Sequence, residues 1–290
     1  MDRREFLMAS GTLPAAMASP APELPQMRLG KYSISRLICG ANPFNPGSHL
    51  SVFVNHEMRR YYTPEQVIRT LRRCQEAGVN CFQSGMVNLE LYRQFVGEGG
   101  KMHFLALETG EPEKIAALAK GGTIGIAHHG EVSDRLFKTG KLDTMRDALK
   151  RFRDAGVLVG VSTHMPAVVD TVESKGWDVD YYMTCVYERH RTAAELKSLL
   201  GHVPIPVGEV YLTEDPPRMY KVIRQTKRPC LAFKILAAGR LSERPAWVEQ
   251  AFRDAFAGIK PIDGVIVGMY DRYTDQPGEN AEFVRRFGSV

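Results

Sequence analysis

Short apolar runs alternate with longer helical repeats along most of this chain, and two of the runs end in histidine. Thr123-Ile-Gly-Ile-Ala-His128-His129 and Val157-Leu-Val-Gly-Val-Ser-Thr-His164 flank a polar helical repeat over 141–155 that Gly156 closes. Brief apolar stretches bounded by turn residues read as buried strands, so the unit is strand–helix–strand, as in a parallel sheet. The carboxyl ends of such strands share one rim, which predicts that His128, His129 and His164 gather there. Gly160, Ser162 and His164 alternate with Val159, Val161 and Thr163, so the small and polar set is expected to face inward. For the first run the alternation is ambiguous: either His128 or His129 points in, not both.

The same patterning extends in both directions. Residues 27–35 predict a two-stranded lid, followed by a strand over 36–41 and a long loop over 42–62 rich in Asn, Gly, His and aromatics, carrying His49, His56 and Arg59. A loop of that length suits a cover over the rim. Thr63, Pro64 and Gln66 start a helix with Val67, Leu71 and Cys74 on its buried stripe and Gly78 at its end. Strands follow over 80–84 and 102–108, with a short helix over 89–95 between them. In the second strand the bulky pair Leu105 and Leu107 reads as packing on helices, which leaves Glu108 inward at the rim. A helix over 166–175, a strand over 180–187 and a helix over 193–200 lead to a proline-bounded stretch, 204–212, read as irregular with a ninth short strand as the alternative. A helix over 215–225, a strand over 230–236 carrying Lys234 near its end, a helix over 246–257, a strand over 264–268 and a helix from Gly278 complete the order. Eight strands with intervening helices make a (β/α)8 TIM barrel, which needs about 250 residues, so 23–290 is expected to be one domain.

Charge and composition narrow the partners. The net charge of +5 is spread over 290 residues without a long basic run or a recognition motif, which argues against nucleic acid and for a small-molecule substrate. Residues 1–22 begin with Arg3-Arg4 and Phe6-Leu7, continue as a small, mildly apolar run to Ala18, and end in Ser19-Pro-Ala-Pro. That reads as an export leader too short to span a membrane, with a disordered amino terminus as the alternative; it resembles the twin-arginine signal, implying export machinery as a partner and a periplasmic or extracellular location. Among the five cysteines, Cys39, Cys81, Cys185 and Cys230 fall in strands and Cys74 in a helix, with no C-x-x-C spacing. They are expected to be small buried hydrophobes rather than a disulfide framework or zinc site.

Several stretches resemble the aldo-keto reductase superfamily: Leu29-Gly30 with Ile38-Cys39-Gly40, Gly78-Val-Asn-Cys-Phe82, Gly160-Val-Ser-Thr-His164, Ala232-Phe-Lys-Ile-Leu-Ala-Ala-Gly-Arg-Leu241, and Val265-Ile-Val-Gly268 with Glu279-Asn280. The resemblance covers nearly all of the chain from Met27 and implies the same barrel. It also implies positions for that family's catalytic tetrad. The aspartate falls on Gln83, the tyrosine near Asn88, the lysine on Glu108 and the histidine on His128, so three of the four are changed. Glutamine and asparagine do not donate a proton as a tuned phenol does, and Glu108 would repel a developing oxyanion. The resemblance places an NAD(P) cofactor against Ser162, Phe233, Gly239 and Asn280, whereas the family's amide-binding positions carry Thr163 and Met183.

The rim set Glu108, His128 or His129, His164, Glu188 and Lys234 therefore points to proton transfer, in an isomerase, epimerase or lyase acting on a small carbonyl compound or sugar. Asn42, His49, Gln83, Asn88, Tyr187 and Glu188 are the candidate substrate contacts. Lys234 and Glu108 are expected to meet, either to stabilise an enolate or as a structural ion pair. A divalent metal, if used, would draw on Glu108, His128 and His164. The alternatives are an NAD(P)-dependent oxidoreductase with a rearranged donor such as His128 or Tyr187, and a barrel that binds a ligand without catalysis.

Overall fold

Eight strands close on themselves in parallel in a computed structural model that describes residues 23–205 and 209–289. The expected leader, 1–22, lies outside the described residues. An antiparallel hairpin, β1 (Gln26–Leu29) and β2 (Tyr32–Ser35), comes first. The barrel strands follow as β3 (Leu37–Gly40), β4 (Cys81–Gly85), β5 (His103–Glu108), β6 (Thr123–His128), β7 (Leu158–Thr163), β8 (Tyr181–Cys185), β9 (Cys230–Phe233) and β10 (Gly264–Gly268). Each pairs with its neighbour in chain order, and β10 closes on β3 through Val265↔Leu37 and Gly268↔Gly40.

Eleven helices accompany the strands among the described residues: α1 (Val52–Tyr61), α2 (Pro64–Glu76), α3 (Leu89–Gly97), α4 (Pro112–Lys120), α5 (Gly130–Lys138), α6 (Met145–Asp154), α7 (Pro166–Ser174), α8 (Ala193–Leu200), α9 (Asp215–Gln225), α10 (Pro245–Gly258) and α11 (Gln276–Phe287). Local chemistry sets several starts. The Thr63 side chain accepts from Gln66 N ahead of Pro64, Thr192 and Glu195 form a reciprocal capping box, and Asp275 accepts from Gly278 N.

Strand alternation divides the apolar residues between two cores. Inside the barrel, Ile38, Cys81, Leu105, Tyr181, Met183, Leu231 and Ile266 pack on Met27, Leu29 and Ile34 of the hairpin, which plugs the amino-terminal end. Outside, Phe82, Phe104, Phe152, Ile126, Val159, Tyr182 and Phe252 pack between strands and helices. Tyr181 fills much of the interior because its neighbour on β7 is glycine: a Cβ at Gly160 would sit 2.5 Å from the Tyr181 ring. All five cysteines are buried and unpaired.

The structure corrects three expectations. The 42–62 stretch is not one loop, since its second half is α1. Helix α4 follows β5, and two helices rather than one join β6 to β7. Helix α5 is short, and its fully buried residues are Gly130, Ser133 and Asp134, with Leu136 and Phe137 only partly buried against the outer core. On β5 the parity is opposite to the sequence reading: Leu105 joins the inner core with Leu107 against it, Phe104 and Ala106 join the outer core, and Glu108 continues the outward set. On the outer face Phe104 packs against Phe82 and stacks on Tyr92.

Gly160→Ala is expected to cost about 1–3 kcal/mol through the clash with Tyr181. Gly97→Ala, with nothing within 4 Å of the added methyl, should not destabilise. Urea unfolding of the two variants beside the wild type checks both.

Candidate active site

At the carboxyl rim β6 and β7 end in histidines whose fates differ. His128 is the last residue of β6 and shares the outward parity of Ile126. It is 2 % exposed, and its Nδ1 lies 2.8 Å from Ser133 Oγ on α5. Burial pushes its pKa down to about 4. His128 is thus removed from the rim set, from the tetrad histidine role and from the candidate proton donors. His129, one residue on, turns inward, lines the cleft and leaves Nδ1 buried without a partner.

His164 follows β7 and faces the same cleft. Its Nδ1 lies 2.7 Å from Asp134 Oδ2, and its backbone N–H reaches both Asp134 oxygens at 3.2 Å. Thr163 Oγ1 donates to Asp134 Oδ1 at 2.5 Å. Helix α5 comes this close because Gly130 lacks a side chain; a Cβ there would meet Ser162 Oγ at 3.0 Å and His164 Cε1 at 3.2 Å. Burial lowers the His164 pKa, with Asp134 opposing. The ring is therefore neutral near pH 7, with Nδ1–H held by Asp134 and Nε2 left as the basic nitrogen. His190 stands edge-on to it, with ring centroids 5.1 Å apart, and Phe233 lies edge-on at 5.5 Å. Burial, then Arg189, push the His190 pKa down to about 4.

Lys234, the first residue past β9, also lines the cleft, with φ 60°. It does not meet Glu108. That carboxylate accepts from Thr109 N at 2.7 Å and Thr109 Oγ1 at 3.1 Å on the outer side of the sheet. Both readings of a Glu108–Lys234 pair fail on this geometry, because the β5 parity sends the two side chains to opposite faces. Burial pushes the Lys234 pKa down to about 8, with Arg189 and Arg240 pushing the same way and Cys185 and Glu131 opposing.

The cleft has a volume of about 790 Å³. Asn42, His49 and Gln83 line it, as do Ser162, Phe233, Gly239 and Asn280. His49 Nδ1 lies 2.9 Å from Glu209, and its Nε2 is 3.2 Å from the Asn42 amide. Arg240 donates to His49 O at 3.1 Å and lies 4.2 Å over the Tyr211 ring, which pins this part of the cleft wall. Arg189 pairs with both Glu131 and Glu209. Three substrate-contact expectations are overturned. The buried Asn88 donates its amide to Ser84 Oγ and Asn45 Oδ1, Tyr187 is buried in the outer core against Tyr211, and Glu188 pairs with Arg191 and Arg218 outside the cleft.

The expected metal set Glu108, His128 and His164 is not assembled, since the first two face away. Among the described residues, Asp134, His164 and His190 bring potential ligand atoms within 4.8 Å of one another. Both Asp134 oxygens are already committed to His164 and Thr163, so the arrangement is a hydrogen-bonded dyad rather than an open ligand set. The fit to a nicotinamide dinucleotide is partial. Ser162, Phe233 and Gly239 line the cleft, but Thr163 is tied to Asp134, Met183 offers no amide, and the Asn280 amide is turned to Met269 Sδ at 3.1 Å.

Sequence reasoning missed Asp134, Glu131, Arg189 and Glu209. The available signal was Gly130-Glu131 directly after a strand, a helix opening with an acidic first turn.

No protein-family model matches the chain, and no curated protein matches it in sequence. Solved structures do share its form. A glycerol dehydrogenase of Gluconobacter oxydans, an aldo-keto reductase, is 11 % identical with TM-score 0.51, covering 92 % of this chain and 97 % of that one. A phospho-2-dehydro-3-deoxyheptonate aldolase of Thermotoga maritima is 15 % identical with TM-score 0.52, covering 92 % and 71 %. A dihydropteroate synthase of Xanthomonas albilineans is 13 % identical with TM-score 0.50, covering 91 % and 96 %. These likenesses define the class, a (β/α)8 barrel; at such identities they carry the fold and not the chemistry.

His128 gives a pH prediction. Its pKa is lower folded than unfolded, so the unfolded chain binds more protons between pH 6.5 and about 4. The associated stability is complete above pH 6.5 and is lost as pH falls through about 4, amounting to about 3 kcal/mol. His128→Gln is expected to flatten that part of the stability–pH curve, measured by urea unfolding from pH 7 to pH 4.

Proposed function

We propose that this barrel is an enzyme that moves a proton alpha to the carbonyl of a small compound or sugar, as an isomerase, epimerase or lyase does. The observation that carries the reading is the buried Asp134–His164 pair at the cleft. A neutral imidazole whose Nδ1–H is fixed by a carboxylate has its Nε2 oriented as a base, and the carboxylate stabilises the imidazolium formed when that nitrogen takes a proton. Lys234 lines the same space, where its Nζ can engage the substrate carbonyl. His129 stands in the cleft as a second acid–base group. Because burial lowers the His164 pKa, the base stays unprotonated somewhat below pH 6.5, and activity should persist into mildly acidic solution.

A second reading has one observation behind it: Ser162, Phe233, Gly239 and Asn280 line one continuous cleft. Those residues would hold an NAD(P) cofactor, whose chemistry would be hydride transfer. Tyr270 lines the same cleft and would be the phenol available as a donor, but the partial fit at the carboxamide ranks this reading second. Quenching of NADPH fluorescence on titration with the protein separates the two. Export through the leader belongs to the proposal as well, and Arg3→Lys with Arg4→Lys is expected to retain the protein in the cytoplasm on cell fractionation.

The direct measurement is exchange of the alpha proton with deuterium oxide, followed by proton NMR over a panel of hydroxyaldehydes, hydroxyketones and 2-oxo acids. His164→Gln is expected to lower the exchange rate at least about 100-fold, and Asp134→Asn to lower it while depressing the His164 pKa further. Exchange that survives His164→Gln unchanged would remove His164 as the base, and a panel without exchange would favour the oxidoreductase or a purely binding barrel.

A further inference from the structure

We infer that Lys234 is a covalent nucleophile, whose Nζ condenses with the substrate carbonyl to form an imine on which His164 then acts. The inference rests on the proton-transfer reading above and specifies how the carbonyl is held.

A lysine kept for charge alone is expected to have a carboxylate beside it. Lys234 forms no ion pair among the described residues, although Glu131 stands near enough to favour its charged form. Glu131 and Glu209 are both claimed by Arg189. The side chain is half-buried in the cleft, where desolvation, then Arg189 and Arg240, favour the free amine against Cys185 and Glu131. Its backbone is also held in an uncommon conformation. The φ of 60° at Lys234 belongs to a tight turn in which Lys234 O accepts from Ala237 N at 2.8 Å, with Ala237 and Ala238 also at positive φ. A β-carbon residue at positive φ carries a steric cost, which the fold sustains at Lys234 and again at Ala237 and Ala238 of the same turn. The turn aims the side chain into the cleft that His129 and His164 also line.

The chemistry closes without an outside oxidant or reductant. The neutral amine gives its lone pair to the carbonyl carbon, forming a C–N bond while the C=O π pair moves to oxygen. That oxygen takes the proton released by nitrogen and one from solvent, and leaves as water. In the iminium that remains, His164 Nε2 removes the alpha proton; the C–H pair becomes a C=C bond and the C=N π pair returns to nitrogen as an enamine. Return of a proton to carbon and addition of water reverse the sequence and release the amine.

Trapping tests this. The protein is incubated at pH 7 with glycolaldehyde, dihydroxyacetone or pyruvate, reduced with borohydride, and its tryptic peptides are weighed. With a pKa of about 8 against the ordinary 10.5, Lys234 holds about 300-fold more free amine than a surface lysine at pH 7. Its peptide is therefore expected to carry at least about tenfold more label than any other. Lys234→Arg keeps the cation but forms no imine, so it should lose the label and lower alpha-proton exchange at least about 100-fold, with its circular dichroism melt showing that it folds. Label at Lys234 no higher than at surface lysines with all three probes overturns the inference, as does exchange within about twofold of wild type in a folded Lys234→Arg protein. If the variant does not fold, the wild-type label alone decides. Exchange that depends on His164 without label at Lys234 sinks the imine and leaves the proton-transfer reading standing; label at Lys234 with exchange indifferent to His164 does the reverse.

Discussion

A carboxylate carried into the space between a helix and the end of a barrel strand is tolerable only if its oxygens are fully engaged, and Asp134 meets that condition through a single neighbourhood. The His164 backbone, the His164 ring and the Thr163 hydroxyl all donate to it. Were any of these lost, the remaining charge would be buried and under-paired, a situation that costs several kcal/mol. The pair therefore ties α5 to the end of β7, fixes the histidine tautomer and orients the ring toward the cleft. Gly130 makes the approach sterically possible, and His129 and Glu131 are set at the cleft wall by the same first turn of α5.

The charges around the cleft follow from how the carboxylates are shared. Arg189 takes both Glu131 and Glu209, while Glu209 also holds His49 and Arg240 lies over Tyr211. This network crosses from the segment after β3 to the segments after β8 and β9, and it turns both carboxylates toward Arg189 rather than into an ion pair with Lys234. On the opposite side of the sheet Glu108, His128 and Tyr187 are buried or engaged in local contacts. The barrel wall thus separates polar side chains of similar type into two groups, one facing a cleft and one serving packing.

Much of the barrel was legible as pattern. The alternation of apolar runs with helical repeats gives the eight strands in their order, because a parallel barrel buries each strand on both faces and so demands near-continuous apolar runs. The inward set Gly160, Ser162 and His164 was legible for a related reason: a glycine, a serine and a histidine alternate with the valines, and the interior beside Tyr181 has use for the glycine. The site was less legible. Glu108 was placed inward because Leu105 and Leu107 look like helix-facing residues, yet Phe104 takes that face and the parity inverts. Asp134 left no pattern of its own, since on α5 the fully buried positions are Gly130, Ser133 and Asp134 while the apolar Leu136 and Phe137 are only partly buried.

The sequence by itself determined the order of strands, the helix start at Thr63, and the presence of histidines and a lysine at or just past strand ends. These depend on hydrophobic period and on hydrogen bonds between near neighbours, which are local properties. Tertiary structure alone decided which of His128 and His129 faces the cleft, that Asp134 rather than Glu108 partners the chemistry, and that Lys234 is left without a carboxylate. Each of those outcomes depends on which of two sheet faces has room for a particular ring and on how a few carboxylates are divided among distant cations. Contacts between residues far apart in the chain set both, and no local pattern encodes them.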